Sequence, residues 1–266
     1  MSILDALDAK YRLILCDIWG VIHDGVQLYP GAAERLDQWR GDGRCVGLIT
    51  NAPRTEEAVE RQLDRLGLSR GCYNFVATSG EAGIEALRAL GRPVGFIGTS
   101  GDRVILEGRG VVIANEDFSD VACTGLREGR PSPSDYVAEL ERSARRNVMM
   151  HCLNPDRIVM RGGVREACAG AIADVYEGLG GRVTWYGKPH PAIYAHALHR
   201  AGEPPNDAVL AIGDGLHTDM LGAARAGFDA VFVSGGIHAG EPFPDNFTAS
   251  NALGAWAPIG IIEGLL

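Results

Sequence analysis

No run of 18 or more apolar residues occurs in the chain of 266 residues, so no segment is expected to cross a membrane as a helix. The first ten residues carry Asp5 and Asp8 but no basic stretch ahead of an apolar core, and a secretory leader is therefore not expected. Zinc spacing is missing as well. Cys16, Cys45, Cys72, Cys123, Cys152 and Cys168 form no C-x-x-C pair. That argues against a structural zinc site and against a disulfide framework. Buried thiols in a reducing cytoplasm are expected instead. Positive charge is in short supply: 25 Lys and Arg stand against 34 Asp and Glu, a formal net charge of -9. An acidic chain repels a phosphate backbone, which excludes nucleic acid as a bulk partner. Lysine is scarce, and none lies between Ser79 and Arg182.

What is present looks globular. Hydrophobic residues make up 46% and charged residues 22%, the balance of an ordinary soluble domain. The 36 glycines are about twice average usage, which asks for tight turns and close backbone approaches. Leu13-Ile14-Leu15-Cys16 and Cys45-Val46-Gly47-Leu48-Ile49 are short continuous apolar runs, as in strands buried on both faces of a parallel sheet. Between them, Pro30 opens a helical stretch. Residues 54–67 place Val59, Leu63 and Leu66 on one helix face, and Gly67 ends it. The order strand–helix–strand–helix argues for an α/β layer fold.

From Ser79 to Arg182 the rhythm changes. Short strands are expected at Val94–Ile97, Val111–Ala114, Val121–Cys123 and Val148–Cys152, with helices at 80–90, 134–146 and 165–179. The first rhythm then resumes: helix 191–200, strand 208–212, helix 218–226 and strand 230–233. The expected organisation is a split α/β core, residues 1–78 and 183–266, interrupted by an inserted domain at 79–182.

Four segments carry chemistry-bearing residues. In LILCDIWGVIHDG, Asp17 directly follows an apolar strand, and ligands bind at the carboxyl ends of such strands. A carboxylate there can act as nucleophile or metal ligand, or simply open a turn. In GLITN, Thr50 and Asn51 end a strand; a hydroxyl and exposed N–H groups can hold a phosphate oxygen, and the same pair also suits an ordinary turn. In GKPHP, Lys188 sits between Gly187 and Pro189 on a stiff loop. It offers a point cation for a phosphate or a carboxylate, or a solvated lysine. In AVLAIGDGLHTDM, a strand runs into Asp214, with Asp219 five residues on. Two acids at a strand end suit a hard cation such as Mg²⁺, while an acid in a first helical turn also complements the helix dipole.

In this order and context the four segments resemble the motifs of the haloacid dehalogenase (HAD) superfamily. The insertion between the second and third motifs is similar to the class II cap branch. That branch contains p-nitrophenyl phosphatase, phosphoglycolate phosphatase and nucleotide or sugar-phosphate phosphatases. Tyr29-Pro30-Gly31-Ala32 and Asn154-Pro155-Asp156 add to the likeness, which spans nearly the whole chain. It implies a Rossmann-like three-layer parallel-sheet core with an inserted α/β cap. It further implies that Asp17 attacks phosphorus and that Thr50, Asn51 and Lys188 bind the phosphoryl group. Asp17, the Trp19 carbonyl, Asp214 and Asp219 would hold Mg²⁺. A small phosphorylated metabolite is the expected substrate, neither nucleic acid nor a membrane is an expected partner, and a cap-mediated homodimer is a family-level expectation.

One position departs from that pattern. Most phosphatases of the superfamily carry a second Asp two residues after the nucleophile as general acid and base, and here the position is Trp19. An indole has one N–H donor and no titratable proton. His23 and Asp24 in the same loop, and His217 beside the fourth motif, are candidate replacements. Asn154 and Asp156 are candidates for touching substrate from the cap, and Asn-Pro-Asp also forms a turn on its own. The alternative to a working hydrolase is a catalytically reduced module that binds phosphate and Mg²⁺ in a regulatory role.

Overall fold

The computed structural model describes residues 3–161, 164–236 and 243–266. The chain divides into two compact units. The first comprises 1–50, 56–77 and 188–266, and the second comprises 51–55 and 78–187.

The first unit begins with β1 (Leu13–Asp17), α1 (Ala32–Gly41), β2 (Cys45–Thr50), α2 (Glu56–Arg65) and β3 (Phe75–Thr78). Every residue of β1 is buried, so both faces of the strand are covered and no polar–apolar alternation is seen. Burying a Leu or Ile side chain of this kind contributes roughly 1.5–3 kcal/mol. Gly67 follows α2 in a left-handed conformation, φ +93°, and stops the helix.

In the second unit the elements are α3 (Ser79–Ala89), β4 (Gly95–Ile97), α4 (Ser100–Gly108), β5 (Asp120–Cys123), α5 (Val137–Arg145), β6 (Met149–Cys152), β7 (Ile158–Arg161), β8 (Val164–Ala167), α6 (Ala169–Gly178) and β9 (Arg182–Trp185). Strands β4-β5-β6-β9 form a parallel sheet in that order. Its core gathers Val121, Met150, Tyr136, Ile172 and Tyr176. Two expectations are corrected here. Residues 165–167 are not helical: they belong to β8, which pairs antiparallel with β7, and the helix starts only at Ala169. Val111–Ala114 is not a full strand, since only Ile113 bridges, to Val94.

The chain returns to the first unit with α7 (Pro191–Arg200), β10 (Val209–Gly213), α8 (Leu221–Ala226), β11 (Asp229–Val233), α9 (Phe247–Ser250) and β12 (Gly260–Ile262). The sheet order is β12-β11-β10-β1-β2-β3. β1 lies parallel to both β10 and β2, with Leu13 opposite Val209 and Cys45. On one face of this sheet Leu13, Leu15, Ile193, Val209, Phe228 and Phe232 pack together. The strand sequence reverses between β1 and β10, and a crevice at the carboxyl ends of such a pair is where open α/β sheets bind ligands. Among the described residues no helix is long and apolar enough to cross a membrane.

Candidate active site

β1 and β10 end side by side at that reversal, which sets the Asp17 backbone beside the Gly213-Asp214 turn. The Asp17 carboxylate accepts the Ile18 N–H at 2.7 Å. After Gly215 the chain makes a π-turn over Leu216–Met220, a local widening often found at functional sites. Its Asp219 Oδ2 accepts from the Gly215 N–H at 3.1 Å and from the Thr218 hydroxyl at 3.2 Å. That leaves Oδ1 facing Lys188, whose Nζ lies 2.7 Å from it and 2.6 Å from Asp17 Oδ1. One buried ammonium therefore holds two carboxylates, one at the end of β1 and one on the π-turn after β10. Lys188 is joined to Pro189 by a cis peptide bond. Asp214 completes the group: Asp17, Asp214 and Asp219 are all buried, with one oxygen of each within 4.8 Å of the others.

The space around Asp214 is made by missing side chains. A Cβ on Gly20 or on Gly236 would collide with the Asp214 carboxylate. Gly20 also has φ +91°, which other residues rarely adopt. Gly236, just beyond β11, was not among the expected site residues. The small-residue run Ser234-Gly235-Gly236 at a strand end was the available signal. Tyr194 on α7 was also missed. Its phenol is pushed up first by burial and then by the Asp219 charge.

The charges are strongly perturbed. The Asp17 carboxyl is raised well above its ordinary value, first by burial and then by repulsion from Asp219, against the attraction of Lys188. Burial alone would depress the Lys188 ammonium, but Asp17 and Asp219 overcome that and raise it. Three buried carboxylates against one ammonium leave an excess of negative charge in a dry site. Hard oxygen donors with such an excess fit a divalent cation that takes carboxylates and keeps several waters, as Mg²⁺ does.

Thr50 ends β2 one residue beyond Ile49, the partner of Asp17 in the ladder. Trp19 is half-buried, and its Nε1 lies where a Cβ on Gly25 would sit 3.2 Å away, so the indole rests on its own loop. Within that loop His23 is buried, its Nδ1 accepts the Gly25 N–H at 2.9 Å, and burial lowers its pKa. Asp24 accepts the N–H groups of Gln27 and Val26, each at 2.8 Å, and these bonds lower its pKa. His217 is exposed on the π-turn. His23, Asp24 and His217 thus lie outside the carboxylate group that the described residues form. Asn51, Asn154 and Asp156 fall in the second unit. There Asn51 Nδ2 donates to Asp156 Oδ1 at 2.8 Å, and the Asp156 N–H donates to Asn154 Oδ1 at 3.1 Å.

Known proteins share this arrangement of chain. A family model for haloacid dehalogenase-like hydrolases matches residues 14–112, and a HAD-hydrolase-like model matches 185–251. A solved hydrolase of the haloacid dehalogenase-like family from Brucella suis 1330 is 35% identical, covering 99% of this chain and 98% of that one, with a TM-score of 0.83. The chain belongs to the haloacid dehalogenase-like hydrolases. An acid sugar phosphatase of Staphylococcus aureus (strain USA300) is 25% identical over 231 residues, 86% of this chain and 88% of that protein. The glycerol phosphate phosphatase of Mycobacterium tuberculosis, solved in complex with magnesium, is 25% identical over 99% of this chain and 77% of that one, with a TM-score of 0.75. Within the family this chain is an enzyme of the phosphatase class, the class of these two relatives.

Proposed function

We propose that the chain is a Mg²⁺-dependent phosphatase that hydrolyses a small phosphorylated metabolite, such as a sugar phosphate, a nucleotide or a phosphoglycolate-like acid, through an aspartyl-phosphate on Asp17. The observation that carries this reading is the Lys188 ammonium seated between Asp17 and Asp219, with Asp214 within reach of both carboxylates. An Asp17 oxygen attacks phosphorus, the bond to the leaving oxygen breaks, and water then cleaves the aspartyl-phosphate to release inorganic phosphate. Lys188 offsets the charge that gathers on the phosphoryl oxygens, and the Thr50 hydroxyl with nearby N–H groups orients them. Asp17, the Trp19 carbonyl, Asp214 and Asp219 would hold the cation, which when bound supplies charge neutralisation and polarises a phosphoryl oxygen. The inserted unit takes the role of the cap that selects the ester. Six scattered cysteines, five of them buried, support a reducing cytoplasmic setting. The sugar phosphatase and glycerol phosphate phosphatase relatives support a small polyol phosphate as the first substrate to try.

Phosphate release from a panel of such esters should appear with millimolar Mg²⁺ and fall to background when a chelator removes it. Equal rates in both conditions would reject the cation's role.

A second reading has its own observation, the indole at position 19 that rests on its loop and carries no transferable proton. On that reading the chain keeps the phosphate site and turns over slowly. Restoring the acid with Trp19→Asp should then raise hydrolysis by about 10²–10⁴-fold, the usual contribution of a general acid–base. A wild-type rate near 1 s⁻¹ or above, ordinary for enzymes at roughly 1–10³ s⁻¹, would dismiss the reduced-module reading.

A further inference from the structure

The chain passes between its two units four times, after residues 50, 55, 77 and 187. Three of these crossings meet in one hydrogen-bonded knot, all of whose members belong to the second unit. The Ser79 hydroxyl, fully buried at the start of α3, faces the Asn51 and Leu153 carbonyls at 2.7 and 2.6 Å. Next to it, the Thr78 hydroxyl donates to the Arg54 carbonyl at 2.6 Å. Asn51 is 6% exposed, and its amide is held by Asp156 at 2.8 Å. The knot is packed backbone to backbone. A Cβ on Gly80 would sit 2.5 Å from Arg54 N, and one on Gly187 would sit 2.5 Å from both Asn51 Oδ1 and Pro155 Cδ. These distances leave no room for even a methyl group.

The neighbours along the chain give this knot its importance. Thr50 directly precedes Asn51, and Lys188 directly follows Gly187. A single side chain, Asn51, is thus covalently next to one proposed phosphoryl-binding residue and packed against the residue before the other.

We infer that Asp156 is a positioning residue for hydrolysis: by fixing the Asn51 side chain, it fixes the ends of the two segments that present Thr50 and Lys188. This rests on the phosphatase reading above. Asp156 acts on the reaction through Asn51 and not through the ester itself. Its carboxylate oxygen is needed as a hydrogen-bond acceptor, and its charge is not. An amide supplies the same acceptor, so Asp156→Asn separates the two roles.

The test compares wild type, Asp156→Ala, Asp156→Asn and Gly187→Ala with p-nitrophenyl phosphate and Mg²⁺, together with backbone hydrogen exchange over peptides 46–56 and 183–192. Misplacing reacting groups by an ångström costs about 10²-fold. Asp156→Ala and Gly187→Ala should therefore lose kcat on that scale with little change in KM, and should exchange faster in both peptides. Asp156→Asn should keep kcat within about threefold, well inside that misplacement penalty, and exchange like wild type. Equal kcat losses in Asp156→Asn and Asp156→Ala would overturn the inference, because a charge acting on substrate would then be at work. Unchanged exchange in Asp156→Ala would also overturn it. A wild type that releases no phosphate would defeat the phosphatase reading, and the exchange arm would still decide whether Asp156 holds the Thr50 and Lys188 segments. Gly187→Ala reaches the same knot from the other side, so a poorly folded Asp156→Ala does not leave the question open.

Discussion

Asp17→Asn will bring phosphate release to background, a loss of about 10⁴-fold or more, as expected when a covalent nucleophile is removed. The fold should survive. Asn keeps the shape and can still accept the Ile18 N–H that Asp17 accepts now. Stability should even rise in the metal-free protein. Asp17 and Asp219 are buried and lean on the same ammonium, and the Asp17 carboxyl is raised above its ordinary value. A carboxyl raised in the folded state binds its proton more tightly there than in the unfolded chain. At a pH above its unfolded value, ionisation therefore works against folding, and that opposition disappears with the charge. Phosphate release is measured at saturating ester, and the melting temperature in chelator at neutral pH. Substantial turnover by Asp17→Asn would sink the covalent route. A lower melting temperature would mean that Asp17 stabilises the fold through Lys188 more than it strains it.

Lys188→Met should fail on both counts. The residue is 3% exposed, and its ammonium neutralises two buried carboxylates at 2.6 and 2.7 Å. Breaking a buried ion pair from one side costs roughly 3–5 kcal/mol, because the remaining charge stays in a dry site. For a domain of this size that corresponds to a fall of roughly 6–20 °C in melting temperature. Added Mg²⁺ should restore part of the loss by supplying positive charge to the same carboxylates, giving a larger Mg²⁺-dependent shift in the variant than in wild type. Turnover should drop by about 10²–10³-fold even with Mg²⁺, the usual cost of losing one preorganised electrostatic partner. An unchanged melting temperature would show that the ammonium does not hold the two acids together. Arginine is no conservative substitute, since its planar fork is bulkier than an ammonium. The chain contains only one other lysine, Lys10.

The parts of the fold legible in the sequence were those set by continuous burial or local chemistry. β1, β2 and β10 read correctly because strands covered on both faces must be apolar throughout. α7 matched its expected range because Pro191 begins it. The segment 165–179 misled for a physical reason: Val164–Ala167 has helix-compatible composition, but its partner Ile158–Arg161 supplies a ladder that propensity cannot foresee. β3, β9 and β12 were overlooked. β12 is three residues long, with Ile261 exposed, and leaves little pattern to read.

At the site, Asp17, Asp214 and Asp219 were singled out from their place at or just after a strand end, and Lys188 from its stiff Gly-Pro loop. Their convergence depends on a π-turn and on glycines such as Gly236 that clear space, neither of which leaves a periodic signal. The Asn51–Asp156 bond spans 105 residues and joins two segments that the sequence offered separately, as a phosphoryl-binding strand end and a cap turn that could touch substrate, with nothing to pair them.

The position of β1 in the sheet has a consequence for how the protein is made. Its two neighbours, β2 and β10, lie far apart in the sequence. After Asp17 leaves the ribosome, roughly 190 residues must follow before β10 begins, which at ordinary elongation rates takes roughly 10–40 s. Throughout that time one edge of a fully buried strand lacks its native cover, and the nascent chain cannot assemble Asp17 with Asp214. The newborn chain is therefore inert while it is most prone to associate with its own kind. Its yield in a cell should respond to chaperones that shield strand edges during translation.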